Sequence, residues 1–305
     1  MDLATLDAIR LNFSPESLAG LNAAIALIMF GVALDLHVED FTALLRDPRA
    51  PAIGLCLQFF AFPLLAFLMA WSLAPTPSMA LGMILVAACP GGNISNFFTR
   101  FGGGRTSVSV GMTAVSTLAT MVMLPFNVSF YGGMMPETAA LLQAFELDAV
   151  GMSIQVLTLL GVPITLGMAT AHWLPSVAER LKPPMTWLSV VFFCAVVGLA
   201  FHANFEIFLA IIGMTFVPVA ALNLVGMGMG YMTARLARLD EPDRRAIALE
   251  VGIQNSALGL VLVFDFFDGL GGMAVLLGWW GIWHILSALF TSSVWRWQDH
   301  RREAA

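Results

Sequence analysis

Apolar stretches of about twenty residues, separated by short polar or Pro/Gly-rich cuts, run the length of this chain. Nine of them fall at roughly 18–36, 51–71, 78–100, 107–131, 150–171, 186–203, 207–233, 246–268 and 272–294. A stretch of this length crosses the hydrocarbon core of a bilayer as one α-helix. The cuts include Arg46-Asp47-Pro48-Arg49 and Asp240-Glu241-Pro242-Asp243, and none is long enough for a soluble domain. Strands alternating apolar with polar positions are not found, which excludes a β-barrel. The pattern predicts an all-α integral membrane protein of about nine transmembrane helices. Residues 1–17 form an N-terminal segment, 18–294 one transmembrane domain and 295–305 a tail.

Composition agrees, with 59% hydrophobic and 11% charged residues and a mean hydropathy of +0.84. A soluble domain is excluded, and nothing suggests nucleic acid as a partner. Cys56, Cys89 and Cys194 all lie inside apolar stretches, as small core residues rather than a disulfide framework. The first seventeen residues carry Asp2, Asp7 and Glu16 and have no basic leader pattern, so no cleaved signal peptide is expected. The basic residues orient the spans. Arg46 and Arg49 follow span 1, Arg100 and Arg105 span 3, Arg180 and Lys182 span 5. Arg235, Arg238, Arg244 and Arg245 follow span 7, and Arg296, Arg301 and Arg302 span 9, leaving only Arg10 elsewhere. Positive-inside then puts the N-terminus outside and the C-terminus in the cytoplasm of a bacterial inner membrane. The acidic connection with Glu137, Glu146 and Asp148 falls outside.

Two spans are interrupted. Span 3 contains Cys89-Pro90-Gly91-Gly92-Asn93-Ile94-Ser95-Asn96, where Pro90 breaks the backbone ladder and two glycines remove helix preference. Span 8 contains Glu250-Val251-Gly252-Ile253-Gln254-Asn255-Ser256, an acid at bilayer depth with no Lys or Arg in its run. Such a charge costs at least about 2.5–3.5 kcal/mol, so it marks a function or a protonated structural role. Irregular backbone at membrane depth survives only where it lines a cavity or is buried in protein. Two broken helices running in opposite directions, one in each half, predict an inverted-repeat transporter with its site at their crossing. Spans 1–4 and 6–9 form the repeats, with span 5 unpaired. A carboxylate among neutral oxygens suits a hard cation. Ser109 and Thr113, spaced i and i+4 in span 4, present both hydroxyls to one side. Taken alone, they and Gln58 in span 2 also fit ordinary helix–helix hydrogen bonding.

These motifs together resemble the bile acid:sodium symporter family. The matching elements are Cys-Pro-Gly-Gly-x-x-Ser-Asn, a Ser-x-x-x-Thr thirteen residues past that Asn, and Glu-Val-Gly-Ile-Gln-Asn-Ser. The resemblance implies crossed broken helices in a core domain (spans 2–4 and 7–9) beside a panel domain (spans 1, 5 and 6). It implies two co-transported Na+ ions. Ser95, Asn96, Ser109, Thr113 and Glu250 would hold the first; Gln58, Glu250, Gln254 and the carbonyls of Val251 and Ile253 the second. Asn93, Asn255, His284 and Ile285 fall at the implied substrate cavity. His284 fits a buried core histidine equally well. The chain lacks the first of the ten spans found in some bacterial members. It has Asn93 where Thr is frequent, and Ile285 where Trp-His-Asn would place an amide.

Two sodium ions against one carboxylate leave the site near +1, which a monoanionic substrate would neutralise. The expected function is sodium-coupled import of an organic anion, bile-acid-like, pantoate-like or another monocarboxylate, by a monomer. A proton-coupled carrier using Glu250 and an arsenite-type carrier using Cys89 are the alternatives within the fold. An intramembrane protease is the alternative from another class. Paired mid-span Asp, Gly-x-Ser-Gly and His-Glu-x-x-His are all missing, so no enzyme is expected. Trp279, Trp280 and Trp283 are candidate interface anchors, and Asp265 and Asp268 are expected to form a solvated rim.

Overall fold

Helix after helix follows the apolar stretches, and the breaks fall where Pro and Gly interrupt them. The computed structural model describes residues 15–35, 44, 46–92, 94–145, 149–185, 187, 188, 191 and 205–303. Helix α1 is Pro15–Ala33 and α2 is Arg49–Leu73. Span 3 is divided into α3, Pro77–Ala88, and α4, Ile94–Phe101. Helix α5 is Thr106–Met134, and a short α6, Pro136–Ala144, lies in the connection after it. Helix α7 covers 149–173, and α8 is Phe205–Leu236. Span 8 is divided into α9, Glu241–Gly252, and α10, Ser256–Phe267. Helix α11, Gly271–Glu303, runs unbroken through span 9 into the charged tail. Eight of the nine expected spans thus appear as helices among the described residues, and span 6 lies outside them except for 187, 188 and 191.

Local chemistry sets the ends. Thr76 accepts from the Met79 N–H ahead of Pro77, and Asp240 accepts from the Asp243 N–H ahead of Pro242. Both are side-chain caps placed just before a helix-initiating proline. At the other end of span 8, Asp268 sits at a positive φ of 50° and closes α10. Inside α2 a π-turn at Leu57–Ala61 precedes Pro63. Pro63 has no N–H for the carbonyl four residues back, and Asn127 of α5 donates to that Phe59 oxygen at 3.1 Å instead.

Among the described residues, four helices (Arg49–Leu73, Thr106–Met134, Ile212–Leu236 and Gly271–Arg302) are long and apolar enough to cross a membrane individually. Helices α3 and α10 have 12 residues each, about 18 Å, and cross only in series with α4 and α9. The pairing is antiparallel: α3 packs on α10 and α4 on α9. Phe60, Leu64, Leu68 and Trp71 leave one face of α2 exposed, while Phe59, Phe62, Phe67 and Ala70 are buried. A large exposed apolar stripe at helical spacing suits a lipid-facing surface.

Connections that follow odd-numbered spans gather at one end. Arg105 bonds to Asp240 and Asp243, which hold its guanidinium above its ordinary pKa chiefly through the Asp243 hydrogen bond. Arg245 clasps Asp299 at 2.5 and 2.8 Å and donates to the Gly102 carbonyl at 2.9 Å. Lys182 lies 3.4 Å from Asp35. At the other end, Phe145 meets Phe267, and Gly272 leaves room for Ser78. The expected rim needs correction at one residue. Asp268 is exposed, but Asp265 is partly buried and accepts a hydrogen bond from Asn22 of α1 at 3.1 Å. Its carboxylate ties α10 to α1.

Candidate ion-binding site

Breaking a helix frees backbone groups that need partners. The two breaks supply them to each other. Gly92 N–H donates to the Ile253 carbonyl at 3.0 Å, and Asn255 N–H donates to the Pro90 carbonyl at 2.9 Å. Gly91 and Gln254 form the antiparallel bridge between them. Gly91 must lack a Cβ here, since one would run into Glu250 Oε2. The Pro-Gly-Gly break is therefore shaped to the acid of the other broken helix.

Glu250 is 1% exposed. Ser95 Oγ donates to its Oε1, as does Ser109 Oγ at 2.5 Å. Thr113 Oγ1 lies 3.0 Å from Oε1 and 3.1 Å from Oε2. Asn96 Oδ1 approaches Ser109 Oγ at 2.7 Å and Thr113 Oγ1 at 3.3 Å. Three hydroxyls carry one proton each. The oxygens therefore hold more lone pairs than protons, within one buried cluster and around one negative charge. No Lys or Arg pairs with Glu250 among the described residues. Such a cluster can bind a small cation by oxygens alone, with the carboxylate as its counter-charge. It contains no group of three or more His, Cys, Asp or Glu among the described residues, so it does not resemble a transition-metal site.

A second set adjoins it. Gln58 Nε2 donates to Gln254 Oε1 at 2.7 Å and to the Cys89 carbonyl at 2.8 Å. Gln254 Nε2 returns a bond to Gln58 Oε1 at 3.2 Å and donates to the Val251 carbonyl at 2.7 Å. The two amides thus satisfy one another, and the Ile253 carbonyl is taken by Gly92. Each of these oxygens keeps a second lone pair. A cation joining this set uses those lone pairs or replaces the Gln58–Gln254 pair.

Of the residues expected to line a substrate cavity, three are described. Asn255 caps α10, its Oδ1 accepting from Leu258 N–H at 3.1 Å. His284 is 5% exposed, and its Nδ1 has no partner among the described residues. Ile285 packs on a small apolar cluster of Phe98, Met227, Leu249, Ile253 and Ala288. Asn93 lies outside the described residues. Trp280 is fully buried, which rules it out as an interface anchor, while Trp279 and Trp283 contact Phe216 of α8. The sequence reading missed Asn223, whose Nδ2 donates to the Gly252 carbonyl at 2.8 Å. A lone Asn in an otherwise apolar span was the available signal.

Residues 23–211 match the model of the Sodium Bile acid symporter family. An "Uncharacterized sodium-dependent transporter YocS" of Bacillus subtilis (strain 168) is 30% identical over 280 residues, 92% of this chain and 84% of that protein. A "Probable sodium/metabolite cotransporter BASS2, chloroplastic" of Oryza sativa is 28% identical over 270 residues. That match covers 84% of this chain and 62% of the longer plant protein. The human "Ileal sodium/bile acid cotransporter" is 29% identical over 248 residues, 80% of this chain and 68% of its own.

Proposed function

The chain belongs to the sodium bile acid symporter family, and on that premise we propose that it imports an organic anion together with two sodium ions. The observation that supports this most directly is the buried Glu250 carboxylate, ringed by Ser95, Ser109, Thr113 and Asn96 and without a basic partner. In the proposed first site these five residues hold one sodium ion. In the second, Gln58, Glu250, Gln254 and the Val251 and Ile253 carbonyls hold the other. Asn93, Asn255, His284 and Ile285 are the proposed substrate residues.

The electrostatics support an order of events. Sodium entering first removes the cost of a bare buried carboxylate and ties α4, α5 and α9 into one unit. Two bound ions leave one net positive charge, which attracts a monoanion and repels a cation. The loaded site is then near neutral, and spans 2–4 and 7–9 move as a core against a panel of spans 1, 5 and 6. After release the site keeps the charge of Glu250, and an inside-negative potential drives it back outward.

Proteoliposomes carrying the purified protein test the coupling. An inward sodium gradient should drive uptake of an organic acid found by a thermal-shift screen, and an equal potassium gradient should not. Sodium-independent uptake driven by a pH gradient would replace this reading with proton coupling at Glu250. Topology is tested separately, in a background without Cys56, Cys89 and Cys194. Ala8→Cys should label from the periplasm with an impermeant maleimide, and His300→Cys only after permeabilisation. Labelling of both from one side would require an even number of spans.

A further inference from the structure

The unwound segment of span 8 is held from behind by one face of α8. Asn223, Met227 and Gly230 follow one another at i, i+4 and i+7 and so share that face. Gly230 lets the backbone of α9 come close, with Ala248 Cα and the Ile247 carbonyl at 2.8 and 2.9 Å from where its Cβ would be. Met227 fills the space beside Gly252 that a side chain there would need. Asn223 donates to the Gly252 carbonyl at 2.8 Å. That oxygen is among the last of α9, and the break has removed the N–H that would have bonded it in a continuous helix.

Asn223 is itself fully buried, and its Oδ1 has no hydrogen-bond partner among the described residues. An amide retained in an apolar face with one end unpaired is not stabilising itself. Its other end holds the one peptide unit that lies between the Val251 and Ile253 carbonyls. Glycine has the widest backbone freedom of any residue, so without an anchor the Gly252 peptide could turn and carry both neighbouring carbonyls away.

We propose that Asn223 is a positioning residue of the sodium-coupling machinery: it fixes the Gly252 peptide so that the Val251 and Ile253 carbonyls and the Glu250 carboxylate keep the geometry the ions need. It touches neither ion nor anion and acts through the backbone of the break. This rests on the sodium reading above, and the test separates the two.

Asn223→Leu keeps the volume and removes the donor. Its melting temperature is titrated with sodium, with Thr215→Val as the control. Thr215 is buried on the same helix and bonds only its own helix, at the Ile212 carbonyl. The half-saturating sodium concentration should rise at least tenfold in Asn223→Leu and stay unchanged in Thr215→Val. Substrate affinity at saturating sodium should stay within twofold of wild type, because bound sodium then holds the break in place. Hydrogen exchange at 253–255 should quicken in Asn223→Leu only. A lowered melting temperature with an unchanged sodium midpoint would make Asn223 an ordinary packing residue and overturn the proposal. Should Asn223→Leu not fold, Asn223→Ala is judged by the same two readouts. If wild type itself does not respond to sodium, the sodium reading fails. Unchanged exchange at 253–255 would then overturn the positioning role as well.

Discussion

Glu250→Ala removes the stabilisation that sodium confers and abolishes sodium-driven uptake. Wild-type protein in sodium at about 100 times its dissociation constant gains about 2.7 kcal/mol from binding the folded state. For a chain of this size that is roughly 4 °C in melting temperature. Potassium at equal ionic strength is expected to give no comparable shift. The variant still folds, since Ser109 and Thr113 retain the Asn96 acceptor at 2.7 and 3.3 Å. Its melting temperature is then the same in sodium and potassium. Glu250→Gln keeps the volume and one acceptor but loses the charge, and it should fail in the same way. A sodium shift that survived in either variant would move the ion away from this carboxylate.

Gly91→Ala is expected to be nearly as severe, although it adds only a methyl group. Gly91 does not have a positive φ, so backbone strain is not the reason. Its new Cβ would collide with Glu250 Oε2 and lie 3.6 Å from the Glu250 carbonyl. The carboxylate must swing away from Ser95, Ser109 and Thr113, and the sodium response goes with it. Overpacking of this kind costs about 1–3 kcal/mol even without ions. The neighbouring substitution is the control. A Cβ on Gly92 meets the Gln254 carbonyl at 3.3 Å and leaves Glu250 alone. Gly92→Ala should therefore lower stability modestly and keep the sodium titration. Sodium titrations of the two variants that superimposed would show that Gly91 is not moulded to the acid.

What could be read from the chain without its folding was the part that lipid dictates locally. A backbone in hydrocarbon must satisfy its hydrogen bonds within each helix, so helix lengths and their ends are written in runs of apolar residues. The same rule made Pro90-Gly91-Gly92 and Gly252 stand out, because a break inside such a run needs a partner. Ser109 and Thr113 could be placed on one face because helical spacing is itself local. Glu250 was conspicuous through its cost alone. The partner of each break was a different matter. Ser95 lies 155 positions from Glu250, and no periodicity links them. Only the crossing of α4, α5 and α9 brings the three hydroxyls to one carboxylate. Only the packing of α8 makes Asn223 the anchor of Gly252. Asp265 looked like a rim acid because its own helix ends nearby, yet α1 reaches over to bond it. Ile285 packs on Phe98, Met227, Leu249, Ile253 and Ala288, neighbours that no local pattern announces. The sequence determined which segments lie in the membrane, where they break and which acid they carry. The tertiary structure decided which oxygens meet that acid, because those contacts join helices far apart in the chain.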